Sequence, residues 1–230
     1  MNVPQKQTAS RTAGGWLAAA AFLLAAALMF HGALAVDLET QMKHIAEGAG
    51  RWAAVHWAAA AALSAFAVAG LIVLSSGTPL TAQWWTLSAW AVVTLGALWT
   101  VTTALAEASV VSAAAVAGDQ TMFEAWWRFA EAKANGFAFL ALAFAVIAAN
   151  EAAMPRPFTP SWASWIAALA GAAAFSGWVV GAWLGIRGGS AVWVTASLVM
   201  CLWLIWLGVA LARAGADKSE HMAAEAGRAI

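Results

Sequence analysis

Three observations predict an all-α fold, a polytopic transmembrane helix bundle of about six spans. Hydrophobic residues make up 63% of the 230-residue chain and charged residues only 10%, under half the ~25% usual in soluble domains. The apolar runs are long and rich in alanine and leucine, with no strand alternation, so helices rather than a barrel satisfy the backbone in lipid. Six of these runs approach or exceed the ~20 residues that a helix needs to cross a ~30 Å hydrocarbon core.

The first run covers about 15–36 and follows Lys6 and Arg11. It ends in Ala33-Leu34-Ala35, which has the form of a signal-peptide cleavage site. The run is longer than the ~7–15 apolar residues of such a peptide, so it reads as a retained first span. The second span covers about 52–74. The third starts at Trp84 and stays apolar to about 118, broken only by Glu107, which makes it longer than a membrane requires. The fourth has its apolar half at 137–149 and a mixed approach from Met122. The fifth and sixth cover about 162–186 and 191–212. The chain thus divides into a polar N-terminal segment (1–14), one membrane domain (15–213) and a polar tail (214–230) in which His221 reads as a surface histidine.

Sixteen tryptophans and no tyrosine mark the aromatic choice. Trp16, Trp52, Trp57, Trp84, Trp85, Trp162 and Trp165 lie near span ends, where an indole suits the water–lipid boundary. Trp90, Trp99, Trp178 and Trp203 sit deeper and are expected to fill the bundle, face lipid or line an apolar pocket.

Charge limits the partners. Eleven basic residues balance eleven acidic ones, so no nucleic-acid partner is implied. The single Cys201 excludes an intrachain disulfide or a multi-cysteine zinc site, and its apolar setting marks it as inert. Six spans put both termini on one side, with Lys6, Arg11, Arg156, Arg213, Lys218 and Arg228; Lys43, Arg51, Arg128, Lys133 and Arg187 fall on the other. The basic excess predicts cytoplasmic termini in a bacterial inner membrane, with the lipid bilayer as the surrounding partner.

The ionisable residues gather in two hairpins. His31 and His56 flank the first connection, which carries Asp37, Glu39, His44 and Glu47, and they reach similar depth. Glu107 and Arg128 flank the second, whose turn is placed at Gly118-Asp119. Thr100, Thr103 and Glu107 share one helical face; so do Glu124, Arg128, Glu131 and Asn135, opposite an aromatic side with Phe123, Trp126, Trp127 and Phe129. Polar stripes in membrane helices are expected to point into the bundle. Both turns fall on the side away from the termini, so His31, His56, Glu107, Arg128 and Glu131 are expected to converge there.

Two histidines and a carboxylate would suit a transition metal, with His31, His56 and Glu107 as ligands. Haem held between His31 and His56 is a special case, and a small polar ligand is another occupant. The bland alternatives are interfacial histidines bonded to backbone or water, and a buried Glu107–Arg128 ion pair joining two helices. A small-molecule or proton-coupled carrier using Glu107, Arg128 and Glu131 is a second class of function. A structural or accessory subunit is a third. Gly177, Gly181 and Gly185 form a small-residue stripe that permits close helix packing, expected against span six, with a homodimer or a partner in a membrane complex as the alternative.

His31 ending span one, Trp52 to His56 opening span two, Pro160-Ser161-Trp162 opening span five, and Trp206-Leu207-Gly208 with Leu211-Ala212-Arg213 closing span six make the chain similar to bacterial six-helix integral membrane proteins of unknown function. That resemblance covers most of the chain and implies architecture without a mechanism.

Overall fold

A computed structural model describes residues 3–32, 37–186 and 188–228. The 33–35 cleavage-like stretch and Arg187 lie outside the described residues. So do the side chains of Lys6, Lys133, Lys218, His221 and Arg228. Among the described residues the ordered elements are all helical. They are α1 (Val3–His31), α2 (Leu38–Glu47), α3 (Ala49–Ser76), α4 (Trp84–Ala106), α5 (Ser112–Ala117), α6 (Gln120–Lys133), α7 (Gly136–Ala152), α8 (Ser161–Trp178) and α9 (Gly189–Arg228). Five-residue π-helical turns, Glu107–Val111 and Val179–Trp183, follow α4 and α8. Six stretches are long and apolar enough to cross a membrane: Gln7–His31, Ala49–Ser76, Trp84–Ala117, Gln120–Ala152, Ser161–Trp183 and Gly189–Ala214. This is the architecture of a multi-pass integral membrane protein. The first helix starts at Val3, so the polar N-terminal segment continues directly into span one.

Each span packs against its sequence neighbours, and α1 closes the ring against α9. Phe66, Trp90 and Phe144 fill the interior with almost no exposure. Hydroxyls within the spans satisfy themselves locally: Thr94 donates to the Trp90 carbonyl and Thr100 to that of Gly96, which removes the cost of an unpaired donor in lipid. The α1–α9 seam depends on two facing glycines. A Cβ at Gly208 would lie 2.6 Å from the Gly14 carbonyl oxygen and 2.7 Å from the Ala18 nitrogen. Both are backbone atoms that cannot swing aside. Gly208→Ala is therefore expected to lower stability by about 1–3 kcal/mol through overpacking, read as a lower unfolding temperature in detergent.

Gly177 and Gly181 serve an intramolecular seam of the same kind. Added Cβ atoms there would meet Trp193 nitrogen at 2.6 Å and Ser190 nitrogen at 2.7 Å, both at the start of α9. Gly185 does not belong to that stripe. Its surroundings are open and its φ of +65° is the left-handed turn leaving span five, a conformation that suits glycine.

The third and fourth spans are longer than the bilayer needs, and their excess builds a cap. Glu107 lies about 34 Å along the helix from Trp84, so residues beyond it stand at or above the far membrane boundary. There α2, α5 and α6 bury a second apolar cluster of Ile45, Trp52, Val111, Ala114, Phe123 and Trp127. The cap's turns are well specified. Gly118, at φ +69°, ends α5 with Asp119 N–H donating to the Ala114 carbonyl and Gly118 N–H to that of Ala115, a Schellman closure. The Asp119 carboxylate then accepts from Met122 N–H at 3.0 Å and starts α6. Asp37 starts α2 in the same way, accepting from Thr40 N–H at 2.8 Å; that bond holds its carboxyl below the ordinary carboxylate range.

The candidate metal centre

His31 is the last residue of α1, His56 sits two turns into α3, and Glu107 opens the π-turn after α4. The three side chains meet beneath the cap: one ligand atom from each lies within 4.8 Å of the others. The π-turn sets the aim of the carboxylate. One extra residue in the helical repeat rephases the chain at Glu107, a distortion common where a helix presents a functional group.

Backbone carbonyls fix both rings. His56 Nδ1 lies 2.8 Å from the Trp52 carbonyl oxygen and His31 Nδ1 3.0 Å from that of Gly32. A carbonyl can only accept, so each Nδ1 carries the proton and donates. Each Nε2 is left as the outward ring nitrogen. This is the arrangement that orients metal-bound imidazoles. His56 Nε2 is 2.9 Å from Glu107 Oε2, yet Glu107 Oε2 is buried and has no hydrogen-bond partner. The two atoms are close without lying on a hydrogen-bond line. Two ligands each ~2.1 Å from a tetrahedral ion would be roughly 3.4 Å apart, so this pair, at 2.9 Å, is in ion-pair contact and would part slightly to hold one. The 4.8 Å limit of the set is wider than this. Half-buried His31, at a helix end, is the member able to draw in.

Aromatic rings wall the site. The Trp52 ring centroid is 4.9 Å from His31 and 4.5 Å from His56, and Trp127 and Phe123 continue the stack outward. Trp52 is buried here rather than anchored at the lipid boundary as its place near a span end suggested. The His31 and His56 rings are themselves in contact, with centroids 5.1 Å apart. That contact leaves no gap for a porphyrin, whose axial imidazoles stand on opposite faces of the macrocycle.

The other polar candidates lie elsewhere. Arg128 does not pair with Glu107; it donates to Glu124 on its own helix at 2.6 Å, and both are exposed. Glu131 is exposed as well. The polar stripe of α6 therefore faces outward while Phe123, Trp127 and Ala130 face in, the reverse of the expected orientation. The reason is packing: α6 lies in the cap, where Phe123 and Trp127 find apolar neighbours in Ile45, Trp52 and Val111. Thr103 is buried and donates to the Ala130 carbonyl, tying α4 to α6. Asn135 Oδ1 accepts from the indoles of Trp178 (3.1 Å) and Trp183 (2.7 Å), which locks the start of α7 to the end of span five.

A second polar cluster, not singled out from the sequence, lies at the end of the bundle that carries the termini. Glu151 is fully buried. Its carboxylate accepts from Thr159 N–H at 2.8 Å, from the Thr159 hydroxyl at 3.1 Å and, very closely, from the Ser164 hydroxyl. Trp203 Nε1 donates to both hydroxyl oxygens at 3.2 Å. The signal was present: Glu151 ends the fourth apolar run and Thr159 and Ser164 open the fifth, so the depth matching used on the other two hairpins finds them.

Compared with protein-family models, with curated proteins and with solved structures, the chain has no match.

Proposed function

We propose that this is a membrane metalloprotein in which His31, His56 and Glu107 bind one divalent first-row transition ion under the cap. The observation that carries the reading is the buried Glu107 oxygen, close to His56 Nε2 but without a hydrogen bond, in a set whose other ring nitrogens are already committed to carbonyls. Two imidazoles and one carboxylate match the donor preference of zinc and of ferrous iron. Three protein ligands leave a coordination position open, so a bound ion would act as a Lewis acid there. Six basic residues on the side of the termini against five on the other support cytoplasmic ends in a bacterial inner membrane, which puts the metal on the opposite side. A carrier reading draws less support, because Arg128 and Glu131 lie exposed on α6 rather than inside the bundle with Glu107.

The test is metal content. Full-length protein in mild detergent, stripped with a chelator, loaded with Zn²⁺ or Co²⁺ and desalted, is expected to retain about one ion per chain. Retention near zero for both ions, in protein that remains folded and monodisperse, overturns the proposal.

A further inference from the structure

The donor set leaves both a charge and a hydrogen bond unsettled. Two neutral imidazoles and one carboxylate around a divalent ion carry a net charge of +1. Among the described residues no further histidine, cysteine or carboxylate joins the group. An uncompensated positive centre beneath an apolar cap is unfavourable, and an anionic fourth ligand removes the imbalance.

Trp52 supplies the second observation. It is 7% exposed, its ring lies against both candidate ligand histidines, and its Nε1 is buried with no hydrogen-bond partner. A buried N–H without an acceptor is costly. The same residue already fixes His56 through its carbonyl. Its indole donor is thus the polar group in this wall that has no structural use, and it can only donate. Its ring lies against both candidate ligand rings, so an anion on the ion's open position would give this donor an acceptor.

We propose that a small monoanion completes the centre as fourth ligand and that the Trp52 indole N–H holds it there. The inference rests on the metal reading of the triad. In this role Trp52 is an anion-positioning residue: it sets anion affinity without being a metal ligand. Hydroxide derived from water is the simplest occupant, and halide, azide and short carboxylates belong to the same class.

The experiment uses Co²⁺-loaded full-length protein titrated with azide, followed by the visible ligand-field bands, for wild type and Trp52→Phe. Both are expected to hold the same amount of Co²⁺. Azide should shift the bands of both, with an affinity about tenfold or more weaker in Trp52→Phe, as loss of a hydrogen bond to a charged group implies. Replacement of Trp52 by benzothienylalanine, which keeps the bicyclic shape and lacks the N–H, gives the same reading should the phenylalanine variant fail to fold. Equal azide affinity with and without the N–H overturns the role of Trp52. A Co²⁺-loaded wild type whose bands ignore azide overturns the anion site and leaves the metal reading standing. Failure of wild type to take up Co²⁺ overturns both.

Discussion

Glu151→Ala is expected to be among the most destabilising single substitutions in this chain. The carboxylate is fully buried and gathers three donors across the α7–α8 connection. Removing it leaves the Thr159 N–H without an acceptor in a place closed to water. The Thr159 and Ser164 hydroxyls can still pair with each other at 2.7 Å, so the loss is partial. A cost of about 2–4 kcal/mol follows from one orphaned backbone donor plus the lost charge-assisted bonds. For a chain of this size that corresponds to roughly 5–15 °C in unfolding temperature. Glu151→Gln retains a carbonyl oxygen for Thr159 N–H and should lose about half as much. The measurement is thermal unfolding in one detergent, with Glu39→Ala on exposed α2 as a control. A shift for Glu151→Ala no larger than the control's would show that the cluster does not hold the hairpin.

The two ends of the bundle therefore use carboxylates in opposite ways. At the end carrying the termini, Glu151 accepts from two hydroxyls and a backbone N–H, an arrangement closed within the protein. At the cap end, half-buried Glu107 keeps one buried oxygen that contacts His56 Nε2 at 2.9 Å without a hydrogen bond. A closed carboxylate supports structure. An unsatisfied one beside two outward imidazole nitrogens invites a cation.

Much of the fold was legible because lipid imposes it. Long apolar runs have one stable solution, and their number fixes which loops share a side. That parity puts His31, His56 and Glu107 at one level, where they do meet, but also Arg128 and Glu131, which lie exposed on α6. The rotation of each helix was not legible in the same way. Along α6 the polar stripe and the aromatic side are both continuous, and hydropathy alone cannot tell a helix lying in the bundle from one lying on top of it. In the structure Phe123 and Trp127 of α6 pack on Ile45 and Val111 in the cap, and its charged side is left outward. The π-turn at Glu107 has no residue signature, since Ala-Ser-Val-Val continues the helix as readily as it distorts it. The Gly177 stripe was legible for two of its three members. Gly185 shares their spacing but ends the helix, which spacing cannot reveal.

His56→Ala is expected to abolish retention of the ion, and the contrast among three variants makes the result diagnostic. His56 is the buried member of the proposed set, held by the Trp52 carbonyl and 2.9 Å from Glu107. Its loss leaves one half-buried imidazole and one carboxylate. The fall in affinity should exceed the roughly 10–100-fold that changes to supporting residues cause. Glu107→Gln keeps the shape of the side chain but removes the charge, so it should also lose the ion while leaving helix content and oligomeric state unchanged. Arg128→Ala should retain the ion fully and unfold at the wild-type temperature, because Arg128 and its partner Glu124 lie on the exposed side of α6. Metal content after desalting and competition with a chromophoric chelator measure all three. Were Glu107→Gln to keep the ion as wild type does, the triad would be no more than packing. Equal retention in all three would place the ion outside this cluster altogether.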